Sequence, residues 1–148
     1  AGADRAGDRG GAAAVAGGWG GGARVTFAGP QADPQPLYGA SDVFLLPTLY
    51  DPLSNAVLEA LACGLPVITS TRCGAGEIVA AHRAGIVCGA RDIAALGDAM
   101  KSLLVQSVRE RAAVSARRAV SDLTPSAMAA RLVDLYQAML DGDGAATR

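Results

Sequence analysis

The sequence predicts an α/β domain: a Rossmann-like parallel sheet with helices on both faces, followed by a helical C-terminal segment. Three observations carry that prediction. Short apolar runs alternate with amphipathic stretches along the middle of the chain, the pattern of strand–helix crossover units. The run "VFLLP" is continuously apolar rather than alternating, as expected of a strand covered on both faces, and "PVITS" reads as a second such buried strand. Glycine and proline punctuate the boundaries, as in "CGLPV". At 148 residues the chain is long enough for one domain with a real core and too short for two large ones.

Taken in order, residues 1–22 are dominated by glycine and alanine, a composition too costly in backbone entropy for a regular element, and read as a flexible tail. "RVTFAG", closed by Gly29-Pro30, reads as a first strand and "PLYGASD" as a short helical turn. Val43 to Pro47 is a second strand. Ser54 to Cys63 is helical, with Ala56, Val57, Leu58, Ala60 and Leu61 as its apolar surface and Gly64 and Pro66 as its stop. "PVITS" is the third strand, "GAGEIVAAH" a glycine-led helix and "GIVC" the fourth strand. Asp92 opens a helix through Leu104 with Ile93, Leu96, Met100, Leu103 and Leu104 on one side. A second helix runs from about Ser107 to Val120. Thr124-Pro125, an N-cap and a first-turn proline, starts the last one. That helix reaches Leu140 and carries Met128, Leu132, Leu135, Tyr136 and Met139 as a predicted core stripe. Residues 23–140 form the predicted domain and 141–148 a polar tail. The chain starts at Ala1 rather than Met and reads as a fragment.

Composition narrows the function. Half the residues are hydrophobic (51%) and the formal net charge is −1, so nothing favours nucleic acid or an anionic membrane as partner. The three widely spaced cysteines, Cys63, Cys73 and Cys88, form neither a disulfide framework nor a zinc pattern and read as reduced, mostly buried thiols. No apolar run approaches the ~20 residues of a membrane span, and no signal peptide opens the chain. The expected setting is the cytoplasm, extending to the inner face of the membrane.

The chemistry-bearing stretch is "DPLSNAVLEALACGLPVI". Ligands of parallel α/β sheets sit at the carboxyl ends of the strands, beside helix N-termini. Asp51 and Asn55 fall there, between the strand ending at Pro47 and the next helix. Asn55 and Glu59 lie four residues apart, on one helix face and about 6 Å apart along the axis. The free amides near Ser54, Asn55 and Ala56 suit a phosphate, while the flanking carboxylates accept hydrogen bonds from hydroxyls. A nucleotide-sugar, with hydroxyls at both ends of a diphosphate, fits that pattern. Each residue also has a plain reading: Asp51 as a turn residue, Ser54 as an N-cap, Glu59 as an exposed helix position.

Residues 41–79, "SDVFLLPTLYDPLSNAVLEALACGLPVITSTRCGAGEIV", resemble the donor-binding signature of retaining family 4 glycosyltransferases, which have the two-Rossmann-domain GT-B architecture. Asp51-x7-Glu59 matches a Glu-x7-Glu motif, followed by "EALACGLPV" and the glycine loop "CGAGEIV". "DPLSNAVLEALA" and the Cys-Gly after the strand are most similar to lipopolysaccharide-core glucosyltransferases. The resemblance covers about residues 24–140 and implies one half of a GT-B fold. It implies that Asp51 contacts the transferred sugar, Glu59 the ribose hydroxyls, the Asn55 and Ala56 amides the diphosphate, and Gly74 the donor. The implied reaction moves a sugar from a donor such as UDP-glucose to a hydroxyl of a glycan or lipid-linked acceptor, with retention. Neither metal nor cofactor is implied, and the acceptor is bound by an N-terminal domain outside this chain. Asp51 is one methylene shorter than the family's Glu. The family's diphosphate-gripping Arg and Lys have no match, since Arg5, Arg9 and Arg24 lie in the wrong setting and Lys101 in a later helix. A catalytically incomplete nucleotide-sugar-binding or structural module therefore stays open beside the enzyme.

Other patterns are weaker. "GGWGGGA" lacks the preceding strand and Lys-Ser/Thr of a phosphate loop, and "GAGEIV" lacks the third glycine and the acidic residue of a dinucleotide fingerprint. Gly74 and Gly76 either admit the donor to the backbone or make a tight turn. His82 and the basic stretch Arg109 to Arg118 read as solvated, and Glu77 as an early-helix acid favoured by the dipole.

Overall fold

The computed structural model describes residues 24–140; the predicted tails at 1–22 and 141–148 lie outside them. The chain divides into a unit ending at Pro34 and a larger one beginning at Gln35. In the first, residues 25–30 carry no strand, and Val25 and Phe27 are exposed. The expected first strand is thus corrected: β-branched and aromatic residues favour a strand only when a neighbouring strand pairs with them.

The larger unit alternates strands and helices as predicted. It contains α1 (Gln35–Gly39), β1 (Phe44–Leu46), α2 (Asn55–Ala62), β2 (Val67–Ser70), α3 (Ala75–His82) and β3 (Gly85–Cys88). Then follow α4 (Ile93–Leu104), α5 (Gln106–Ala119) and α6 (Pro125–Leu140). The three strands are parallel in the order β1-β2-β3, with Leu45 beside Ile68 and Ile68 beside Ile86. Side-chain alternation gives the sheet two covered faces. Phe44, Leu46, Val67 and Val87 pack with Val57, Ala60 and Leu61 of α2, Val79 of α3 and Ala116 and Ala119 of α5. Val43, Ile68, Ile86 and Cys88 point the other way, toward Leu96, Ala99 and Leu103 of α4. Only the central strand is buried along its whole length. β1 lies at an edge of the sheet and leaves Leu45 exposed, so the expectation that it is covered on both faces is corrected.

Helix ends follow the sequence signals. Gly64 takes φ +81 after α2, the Leu65 amide bonds the Ala60 carbonyl and the Gly64 amide the Leu61 carbonyl. This is the paired closure that a left-handed residue makes possible at a helix C-terminus. Asp92 accepts from the Ala95 amide at 2.9 Å and Thr124 Oγ1 from the Ala127 amide at 3.1 Å. Two apolar stripes are corrected. In α4 the covered side is Leu96, Ala99 and Leu103, while Ile93, Met100 and Leu104 are exposed. In α6 no residue is buried, and Met128, Leu132, Leu135, Tyr136 and Met139 all face outward. Helical spacing establishes that such residues share a side; it does not supply the surface that covers them. The cysteines are free thiols, Cys73 buried and the other two partly so. No helix of the described residues is long and apolar enough to cross a membrane.

Candidate functional site

The loops after β1 and β2 are stitched together at the carboxyl end of the sheet. Ser70 Oγ donates to the Thr48 carbonyl at 2.5 Å and Thr69 Oγ1 to the Leu46 carbonyl at 3.0 Å. The Asp51 amide donates to the Arg72 carbonyl (3.1 Å), the Gly74 amide to the Asp51 carbonyl (2.9 Å) and the Ala75 amide to the Leu53 carbonyl (3.1 Å). Asp51 and Cys73 thus form a short parallel bridge outside the main sheet. Asp51 Oδ1 also accepts from the Leu53 amide at 3.2 Å, closing its own turn. A Cβ on Gly74 would stand 1.9 Å from the Pro52 carbonyl oxygen. The glycine here is required by the contact between the two loops.

An open cavity of about 590 Å³ lies against this junction. Asp51 and Gly74 line it, together with Tyr50, Arg72, Gly76 and Glu77. Ser54, Asn55, Ala56 and Glu59 are not among its lining residues. The predicted residues therefore fall into two groups: Asp51 and Gly74 on the cavity, and Ser54, Asn55, Ala56 and Glu59 at and along α2. Arg72 was missed by the sequence reading. Among the described residues it is the only cation lining this cavity, and its side chain has no ion pair there. Its position two residues past β2, at a strand carboxyl end, is the signal that could have found it.

On α2, Asn55 and Glu59 share the exposed side, opposite buried Val57, Ala60 and Leu61, as the four-residue spacing predicts. The amides of Val57 and Leu58 bond the Ser54 carbonyl, whereas those of Asn55 and Ala56 have no acceptor among the described residues. Ser54 is more than a plain N-cap. Its side chain makes no capping bond, and it is nearly buried at φ +66, a conformation that costs a non-glycine residue on the order of 1–3 kcal/mol. Tyr38 Oη donates to Glu59 Oε2 at 3.2 Å. Burial first, then the Glu59 charge and this hydrogen bond, raise the Tyr38 phenol above its ordinary value. Burial, and then Asp92, likewise raise the Cys88 thiol. No cluster of three or more His, Cys, Asp or Glu able to hold a metal occurs among the described residues.

The Tyr38 shift fixes a stability trend. A phenol whose folded value exceeds its unfolded value of about 10 leaves stability intact below that pH and lowers it as pH rises through the folded value. Denaturant titrations at pH 9 and 11 are expected to show a loss that Tyr38→Phe reduces; identical losses in both proteins would contradict it.

A family model described as "Glycosyl transferases group 1" matches residues 6–106. The chain belongs to this family. Glycogen synthase of Mycobacterium tuberculosis is 33% identical over 109 residues, 72% of this chain and 26% of that protein. Sucrose-phosphate synthase from Thermosynechococcus elongatus superposes with TM-score 0.74 and 28% identity, covering 87% of this chain and 33% of the other. WaaG, a glycosyltransferase involved in lipopolysaccharide biosynthesis, gives 0.68 and 29%, covering 76% and 30%. The chain thus spans about a quarter of the length of the curated relative. The three-dimensional likeness agrees with the Rossmann-like GT-B half expected from the signature.

Proposed function

We propose that this chain is the donor-binding part of a glycosyltransferase that moves a sugar, with retention, from a nucleoside-diphosphate-sugar to an acceptor hydroxyl in glycan or lipopolysaccharide assembly. The observation that carries the reading is the first turn of α2. Two amides without acceptors among the described residues, at Asn55 and Ala56, stand between Asp51 before the helix and Glu59 one turn on. The amides hold the diphosphate, as helix N-termini do. Glu59 accepts from the ribose hydroxyls and Asp51 from the transferred sugar. Gly74 keeps the Asp51 loop in place, and the strained Ser54 fixes where the amides point. Arg72 adds positive charge on the Asp51 side, where the leaving diphosphate gains charge during transfer. The acceptor is a glycan or lipid-linked hydroxyl held by another domain of the full-length protein, on the cytoplasmic side.

The test compares the two carboxylates. Truncating Glu59 removes two hydrogen bonds to a ribose, a loss on the order of 1–3 kcal/mol. Calorimetric titration of UDP, GDP and ADP is expected to show Glu59→Ala weakened by that amount and Asp51→Ala, which touches only the sugar, close to the unmutated chain. Equal loss in both, or none in Glu59→Ala, contradicts the assignment.

A further inference from the structure

The Glu59 carboxylate is carried on the exposed side of α2, where an unsupported glutamate would sample several rotamers. It is not unsupported. Tyr38, in α1, reaches it from the core with a 3.2 Å hydrogen bond. The Tyr38 ring is only 9% exposed and meets Phe44 edge-on, with centroids 5.7 Å apart and planes at 79°. It belongs to the same cluster as Val57, Ala60 and Leu61, the buried side of α2. The phenol is therefore fixed by packing against both the first strand and the helix that bears Glu59. A buried phenol needs a polar partner, and the partner supplied here is an acceptor with capacity to spare. Oε2 accepts the phenol's hydrogen bond; Oε1 and the second lone pair of Oε2 remain for a ligand.

Resting on the reading of Glu59 as the ribose contact, we propose that Tyr38 is a positioning residue for nucleotide recognition, holding the Glu59 carboxylate where two ribose hydroxyls can donate to it. A phenol at its ordinary value of about 10 is already a donor at neutral pH, and burial with the Glu59 charge raises it further. Pre-ordering removes the cost of immobilising one flexible side chain on binding, roughly 2- to 10-fold in affinity. The same bond fixes the carboxylate relative to the ribose, so it contributes to discrimination against a 2′-deoxyribose.

The experiment is a double-mutant cycle on the full 148-residue chain: unmutated, Tyr38→Phe, Glu59→Ala and both, each titrated with UDP, GDP and ADP and their 2′-deoxy counterparts. Tyr38→Phe keeps the ring and its Phe44 contact, and circular dichroism is expected to show an unchanged fold. It is expected to bind the preferred ribonucleotide about 2- to 10-fold more weakly, with a smaller preference over the deoxy form, and to have no effect once Glu59 is alanine. If Glu59→Ala weakens binding while Tyr38→Phe keeps both affinity and preference, the Tyr38 proposal is overturned and the Glu59 reading stands. A Tyr38→Phe loss that persists without Glu59 also overturns it, as a structural effect only. If Glu59→Ala binds like the unmutated chain, or no nucleotide binds at all, the Glu59 reading fails and the proposal with it.

Discussion

The 148-residue chain is expected to bind a nucleoside-diphosphate-sugar and not to transfer its sugar at an enzymatic rate. The proposed donor-binding groups lie on an open surface: Asn55 and Glu59 are exposed, and the cavity beside Asp51 is open. Transfer needs the acceptor hydroxyl held against the anomeric carbon, and such positioning contributes roughly 7–11 kcal/mol of barrier reduction. Among the described residues Arg72 is the sole cation lining the cavity, so charge developing on a leaving diphosphate is only partly offset there. With UDP-glucose, GDP-mannose and ADP-glucose as donors, neither free nucleoside diphosphate nor glycosylated product should accumulate. Turnover in the ordinary range of ~1–1,000 per second would contradict this and would mean that the described surface is already complete. Activity that appears only when the segment is tested within a chain of its relatives' length supports the enzyme over the incomplete binding module.

Gly74→Ala is the single substitution expected to do most damage. The new methyl group would meet the Pro52 carbonyl oxygen at 1.9 Å, and this neighbour is backbone, which cannot swing aside as a side-chain tip can. Relief requires the 51–54 loop to part from the 72–75 turn, breaking the Gly74–Asp51 and Ala75–Leu53 hydrogen bonds. Two such bonds and the overpacking together come to roughly 2–5 kcal/mol. Thermal unfolding should show the loss, and nucleotide affinity should fall as well, because the same loop leads to the Asn55 and Ala56 amides. A variant as stable as the unmutated chain, with unchanged affinity, would mean that the two loops are not coupled.

Much of this was legible in the residues. "PVITS" reads as a buried strand, and the structure buries all of its residues because β2 is central. Gly64 and Pro66, Asp92, and Thr124-Pro125 each marked a real helix end. The placement of Asp51 before α2 and of Asn55 and Glu59 along one side of it also followed from spacing alone. The inferences that failed were ones in which the expected partner or cover is not there. The run at residues 25–28 has strand-forming residues but no strand, and the α6 stripe has helical periodicity but no cover. Local pattern specifies the shape of an element, and burial depends on what stands opposite. The support for Glu59 was illegible for the same reason: Tyr38 lies 21 residues away and is brought within hydrogen-bond reach of it only by the tertiary fold. Gly74 had two readings, and the Pro52 contact accounts for the glycine without a ligand.

The claim that Asp51, the first turn of α2 and Glu59 form a donor site is tested most directly by amide chemical-shift mapping of the chain during titration with its preferred nucleoside diphosphate. The largest shifts are predicted at Asn55 and Ala56, whose amides have no acceptor among the described residues, with smaller ones at Glu59 and Gly74. Saturable shifts confined elsewhere, such as the cavity lined by Arg83, Ile86 and Arg111, with Asn55 and Ala56 unmoved, would contradict it.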